Sequence, residues 1–292
     1  MFGLRPDGKK AKGIDPITKI VPHIMTRRYD AQNMSHSDCP CEPMDAFIKS
    51  EREKGNSIKY MDIMMAGLVR VFALYPWLNR FVMNGRIFNR NGIFISFVVK
   101  KGFSAEAAES LVKLEFTGHE SIYEVREKIN AAIVENATLE ANNGTEKLAR
   151  LLTITPNFMI KFLLASIKFL DKHGLLPKAI LDLSPFHASA FFTNLKSIKG
   201  PSIFHHLYDF GTTGIFLSMG KENVVPVVRN GQIVEGKVMP VDYVLDERYC
   251  DGFYFVEALN MLKKMYLNPE MLTTRLEHLP NADDVSTHGK IQ

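Results

Sequence analysis

Near the carboxy terminus the run Leu245-Asp246-Glu247-Arg248-Tyr249-Cys250-Asp251-Gly252 sets three carboxylates and a guanidinium between a strand-like and a helix-like segment. A carboxylate there can accept a proton or hold a turn through a charged pair. A second group, His205-His206-Leu207-Tyr208-Asp209, offers two imidazoles, whose ordinary pKa suits proton transfer near neutral pH. His36, Cys39 and Cys41 bring together metal-ligating residue types. A Cys-x-Cys with one histidine lacks a fourth ligand at zinc spacing, so this stretch is expected to be a loop without a metal. Gly211-Thr212-Thr213-Gly214 is not a phosphate loop, because no Lys-Ser/Thr follows the second glycine.

The elements that must position these groups follow from periodicity. Residues 1–22, rich in Gly, Pro, Lys and Asp, read as an extended arm. Glu42–Lys54 has helical spacing and stops at Gly55. A second helix, capped by Ser57, runs to about Tyr75 with almost no polar face and stops at Pro76. Phe81–Phe88 and Gly92–Lys100 read as strands joined at Asn89-Arg90-Asn91. Leu111–Phe116 is a strand and Ser121–Asn136 an amphipathic helix. Phe191–Leu195 and Gly214–Met219 are short strands. Asn230-Gly231 is a tight-turn signal between two more. Val241–Glu247 is a strand and Gly252–Tyr266 a helix. The apolar run Asn157–Leu170 is too short to span a bilayer and predicts a helix buried in the core or in a subunit interface. A membrane-surface role is the lesser reading, because Lys161 and Lys168 make a thin polar face. Strands and helices alternate irregularly, which predicts an α/β two-layer sandwich on a mixed sheet. The expected organisation is one domain over 23–280, with a flexible tail at 281–292.

Composition narrows the function classes. The 292 residues are 46% hydrophobic and 23% charged, with 36 basic and 32 acidic side chains for a net charge of +4. The charge is too slight and too dispersed for a nucleic-acid binder. Three cysteines make no disulfide framework and the amino terminus has no signal peptide, so a soluble cytoplasmic protein is expected.

The run at 245–252 resembles the Asp-His-Arg-x-x-Asp-Gly signature of the dihydrolipoyl acyltransferases of 2-oxoacid dehydrogenase complexes. It also resembles the His-x-x-x-Asp-Gly core of chloramphenicol acetyltransferase. Pro76-Trp77-Leu78-Asn79 at the end of a long helix and Thr193-Asn194-Leu195 match further family segments in the same order. Together they cover about residues 20–270. The resemblance implies a chloramphenicol acetyltransferase-like fold and a homotrimer with active sites between subunits. It implies acyl transfer from coenzyme A, without a metal, to a small-molecule acceptor. Thr193 takes the oxyanion-stabilising position. Asp251 takes the structural one, paired with Arg28 or Arg27.

Glu247 stands where the family keeps its catalytic histidine. Two readings stay open there: a substitute general base whose pKa burial raises, or a non-catalytic homologue that keeps the trimer and its channel. His205 and His206 repeat the His-x-x-x-Asp spacing about forty residues early, with Phe210 where the family has glycine. They are an alternative source of imidazole for the same channel. No lipoyl-bearing domain is expected in this chain, and 151–183 reads as an addition to the family plan.

Overall fold

The computed structural model describes residues 4–102, 109–137 and 154–283. Its centre is a seven-stranded mixed sheet built from β3 (Gln32–Pro40), β6 (Ile93–Lys100), β7 (Glu109–Phe116), β8 (Ala190–Asn194), β9 (Ile215–Met219), β10 (Asn223–Arg229) and β11 (Gln232–Asp246). The order is β10-β11-β9-β8-β6-β7, with β3 also paired to β11. β8 runs parallel to β6 and β9, and the other pairings are antiparallel.

One face of this sheet carries the helices α2 (Glu42–Glu53), α3 (Tyr60–Leu74), α4 (Ile122–Ala137) and α7 (Gly252–Leu267). The main core lies between, from Phe192, Leu217, Tyr243 and Leu245 of the sheet to Met64, Leu68, Ile129 and Leu262 of the helices. The α/β two-layer sandwich on a mixed sheet is therefore observed. α3 is buried over nearly its whole surface, as its lack of a polar face requires. Its start differs from expectation. Asp62 accepts a hydrogen bond from the Lys59 amide at 2.8 Å, so the helix begins after Lys59 rather than at Ser57.

A smaller four-stranded sheet, β1 (Leu4–Arg5), β2 (Gly8–Lys10), β5 (Arg86–Arg90) and β4 (Arg80–Met83), lies in the order β1-β2-β5-β4. The extended arm expected over 1–22 is not observed in its described part, 4–22: β2 pairs with β5, and α1 (Pro16–Ile24) follows, capped by Asp15. Arg5 also donates to the Asp171 carboxylate at 2.7 Å, and His187 meets the same carboxylate at 3.0 Å. The hairpin expected at Asn89-Arg90-Asn91 lies earlier. Asn84 (φ 52°) and Gly85 (φ 68°) turn the chain between β4 and β5, splitting what reads as one strand. The two strands expected after Asn230-Gly231 are the single long β11. Residues 281–283 are tied down rather than loose: the Ala282 carbonyl accepts from the Trp77 indole at 2.9 Å and Asp283 from Asn89 at 2.8 Å. The remainder of the expected tail lies outside the described residues.

The apolar run becomes α5 (Asn157–His173), followed by α6 (Lys178–Leu183). It is not buried in the core: Phe158 is 72%, Phe162 75% and Phe169 60% exposed. Among the described residues no helix is long and apolar enough to cross a membrane.

Gly67 marks the closest approach of α3 to α7. A Cβ added there would meet the Tyr266 ring at 2.6 Å, and Tyr266 is held in place by a hydrogen bond to the Met64 carbonyl at 3.3 Å. In an exposed helix Gly→Ala would stabilise by about 1 kcal/mol. Here overpacking outweighs propensity, and Gly67→Ala is expected to destabilise by about 1–3 kcal/mol in urea unfolding. A stabilised variant would show that the two helices do not pack at this distance.

Candidate functional site

β11 ends at Asp246, whose side chain is completely buried on the sheet face away from the helices. Arg248 embraces its carboxylate with Nε at 2.8 Å and Nη2 at 2.7 Å, and the Arg248 amide reaches it at 3.2 Å. Arg28 Nε lies 3.3 Å from the same carboxylate. The Arg28 guanidinium also donates to the carbonyls of Tyr208 and Gly211, and its amide donates to Asp209 at 2.8 Å. Burial pushes the Arg28 pKa below its ordinary value, while Asp246 opposes that shift. The charged pair expected between Asp251 and Arg28 or Arg27 is therefore not present. Asp251 is exposed and instead caps α7, accepting from the Tyr254 amide at 2.8 Å. The buried aspartate of the motif is the residue before Glu247, not the one four after it.

Glu247 follows directly. Its amide donates to the Ala31 carbonyl at 3.0 Å, and its carboxylate is exposed, with no hydrogen bond or ion pair among the described residues. Beside Arg248 lies a cavity of about 510 Å³, between α1, α5 and the β4–β5 turn, with Lys168, Lys172 and His23 among its lining residues.

The same sheet face carries a second polar group, assembled by register. Thr193 on β8 pairs with Ser218 on β9, Ser218 with Asp242 on β11, and Asp242 with His36 on β3. Side chains paired in register share a face, so these four form one row across four strands. His36 Nδ1 lies 2.6 Å from the Asp242 carboxylate and Nε2 3.4 Å from Asp38. The hydrogen bond that the His36 ring donates to Asp242 is the largest cause raising the His36 pKa above its ordinary value. Ser218 Oγ accepts from the Ile203 amide at 3.0 Å, which leaves its own hydrogen free to donate.

The row lies beside an apolar patch of Phe191, Phe216, Val244 and Leu207, which the segment before β9 covers. His205 belongs to that cover, stacked on Phe216 at 4.0 Å. Its Nδ1 sits 2.8 Å from the His206 carbonyl. A carbonyl only accepts, so Nδ1 carries the proton and Nε2 the lone pair. Burial lowers the His205 pKa, which favours the neutral ring. His206 is exposed and stacks on His205.

One chain thus brings Thr193 and His205 to one face but keeps Glu247 away. Glu247 lies five residues beyond Asp242 along β11, roughly 17 Å at the usual rise per residue. His36 and Cys39 lie in strand β3 rather than in a loop, Cys41 follows it as the residue before α2, and both cysteines are buried and free. Burial raises their thiols to about 12 and about 11. Sequence reading missed Asp246, Ser218, Asp242 and the His36–Asp242 pair. The alternation Ser35-His36-Ser37-Asp38 hints at a half-exposed strand, but nothing local says that Asp242 lies opposite.

The family model of the 2-oxoacid dehydrogenases acyltransferase (catalytic domain) matches residues 212–274. Comparison with curated protein sequences finds no match. Among solved structures, a probable dihydrolipoamide acetyltransferase of Listeria monocytogenes superposes with a TM-score of 0.56 at 13% identity, over 93% of this chain and 99% of that one. The dihydrolipoamide acetyltransferase of Azotobacter vinelandii gives 0.55 at 10% identity, over 88% of each chain. A chloramphenicol acetyltransferase gives 0.50 at 10% identity, over 89% of this chain and 100% of that one. The chain has the fold of these acyltransferase cores, and its carboxy-terminal segment is similar to their catalytic domain in sequence.

Two measurements test the electrostatics. Asp246→Ala would leave two buried guanidiniums facing each other and is expected to cost about 3–5 kcal/mol in urea unfolding. Asp251→Ala removes only a helix cap and is expected to cost about 1 kcal/mol. Equal losses would put the structural carboxylate back at Asp251. For His36, a folded pKa above the unfolded value of about 6.5 means that its contribution is fully present below that pH. The contribution is lost as pH rises through the folded pKa. The difference in melting temperature between wild type and His36→Gln should therefore narrow from mildly acid to alkaline pH, and a constant difference would show that His36 holds no extra proton.

Proposed function

We propose that this chain is an acyltransferase that moves an acyl group from coenzyme A to a small thiol, hydroxyl or amine, at sites shared between subunits of a homotrimer. The observation that carries the proposal is the separation of Thr193 and Glu247. They occupy the two catalytic positions of the family motifs, yet lie apart in one chain: Thr193 is level with Asp242 in register, and Glu247 follows the end of β11 five residues further on. A site that uses both needs two copies, one presenting Thr193 on its outer face and the other presenting Glu247 from the end of β11.

In the reaction, Glu247 takes the proton of the acceptor as the acceptor's lone pair attacks the thioester carbonyl carbon. The carbonyl electrons move to oxygen, and the Thr193 hydroxyl donates a hydrogen bond to that developing charge. Collapse of the intermediate re-forms the carbonyl and expels the coenzyme A thiolate, which takes up a proton.

A second reading rests on His205. Its free Nε2 and its neutral ring make it a base already on the Thr193 face, with no second copy needed.

The test is thiol release from acetyl-coenzyme A with dihydrolipoamide and simple alcohols and amines as acceptors. Glu247→Gln is expected to lower the rate about 100- to 10,000-fold, and Thr193→Val about 100- to 1,000-fold. Refolding the two inactive variants together should restore part of the activity, because mixed trimers contain intact sites. If Glu247→Gln stays active and His205→Gln is dead, the base is His205. A wild type that binds coenzyme A but is inert with every acceptor would make the protein a non-catalytic homologue.

A further inference from the structure

Helix α5 exposes apolar surface of a particular design. Phe158, Phe162 and Phe169 fall within about 40° of one another around the helix, at the usual turn of about 100° per residue. All three are among the most exposed large side chains of the chain. Next to this stripe, about 40–80° from its near edge at Phe158, Lys161, Lys168 and Lys172 form a second exposed column. None of the three makes an ion pair among the described residues. The helix has one acidic residue, Asp171, and it faces inward, held by Arg5 and His187. The outward surface of α5 is therefore aromatic and cationic, without a compensating carboxylate on the helix. Leu175, just beyond the helix, and α1, which lines the same cavity as α5, add exposed Ile17, Ile20 and Ile24.

We propose that α5 docks on an anionic phospholipid surface. Phenylalanine rings suit the boundary between headgroups and acyl chains, and the adjacent lysines can extend their stems to reach phosphates above it. The charge pattern favours this occupant over a second copy of the chain. A symmetric contact through the same face would set the lysine columns of two copies against each other, with no acid on α5 to relieve them. Insertion is limited to the interface, since α5 cannot span a bilayer. The inference does not rest on the proposed reaction: none of these residues belongs to the Thr193 row or to the motif at 246–251, while Lys168 and Lys172 also border the cavity beside Arg248.

The experiment is flotation of the full chain with phosphatidylcholine vesicles, with and without phosphatidylglycerol, at low and high salt. Binding to the anionic vesicles and its weakening by salt are expected. A Phe158→Ser, Phe162→Ser, Phe169→Ser variant and a Lys161→Glu, Lys168→Glu, Lys172→Glu variant should each lose about tenfold or more in bound fraction. Both variants change exposed residues and should keep the wild-type melting temperature, which is checked in parallel. Wild type that stays off anionic vesicles overturns the proposal, as does either variant binding as well as wild type. So does a wild-type oligomer that the phenylalanine variant dissociates in light scattering, since the face would then be covered by another copy.

Discussion

A completely buried carboxylate faces two guanidiniums at the end of β11, and much of the candidate site depends on that contact. Asp246 accepts from Arg248 in two parallel bonds and from Arg28 beside them. An uncompensated charge in such a place would be strongly destabilising, so the three side chains are constrained together. Arg28 carries the constraint onward, because it also binds the carbonyls of Tyr208 and Gly211. The short helical turn around Arg28, the end of β11 and the segment that covers the outer sheet face are thereby locked to one another. Glu247 is held at its place by this lock, through its backbone rather than its side chain.

The sheet divides its labour between two faces. The inner face is apolar and closed by four helices, which is where the chain gains most of its burial. The outer face has a small apolar patch and, beside it, the row from Thr193 to His36. A polar row on a sheet is tolerated where its groups are bonded to each other or open to solvent. Both conditions hold here: His36 bonds Asp242, and the His36 side chain is about half exposed. The outer face therefore keeps polar side chains with hydrogen-bonding capacity open to solvent.

The helices outside this plan, α1 and α5, behave differently. They contribute little to the main core and keep their apolar residues in solvent. The attachment of α5 is polar: the Arg5–Asp171–His187 network ties it to the small sheet. A helix fixed by its inward polar edge is free to present its apolar edge elsewhere.

Much of the fold was legible in the sequence because periodicity is local. The buried character of α3, the Asn230-Gly231 hairpin, β7, α4 and α7 follow from side chains a few residues apart, and so does the mixed α/β plan. The resemblance to acyltransferase cores rests on short motifs that survive at a fixed order. What the sequence could not settle is pairing across distance. Nothing near Asp246 says that Arg28, more than two hundred residues earlier, completes its charge balance, so the structural role fell to Asp251, which only caps a helix. Nothing near His36 says that Asp242 stands opposite in register. An apolar helix such as α5 reads from its composition as buried in the core or in a subunit interface, and only packing shows that the core of its own chain does not take it. Strand order and register decide these outcomes, because charge neutralisation and burial depend on which residues meet across the fold rather than on which residues adjoin along the chain.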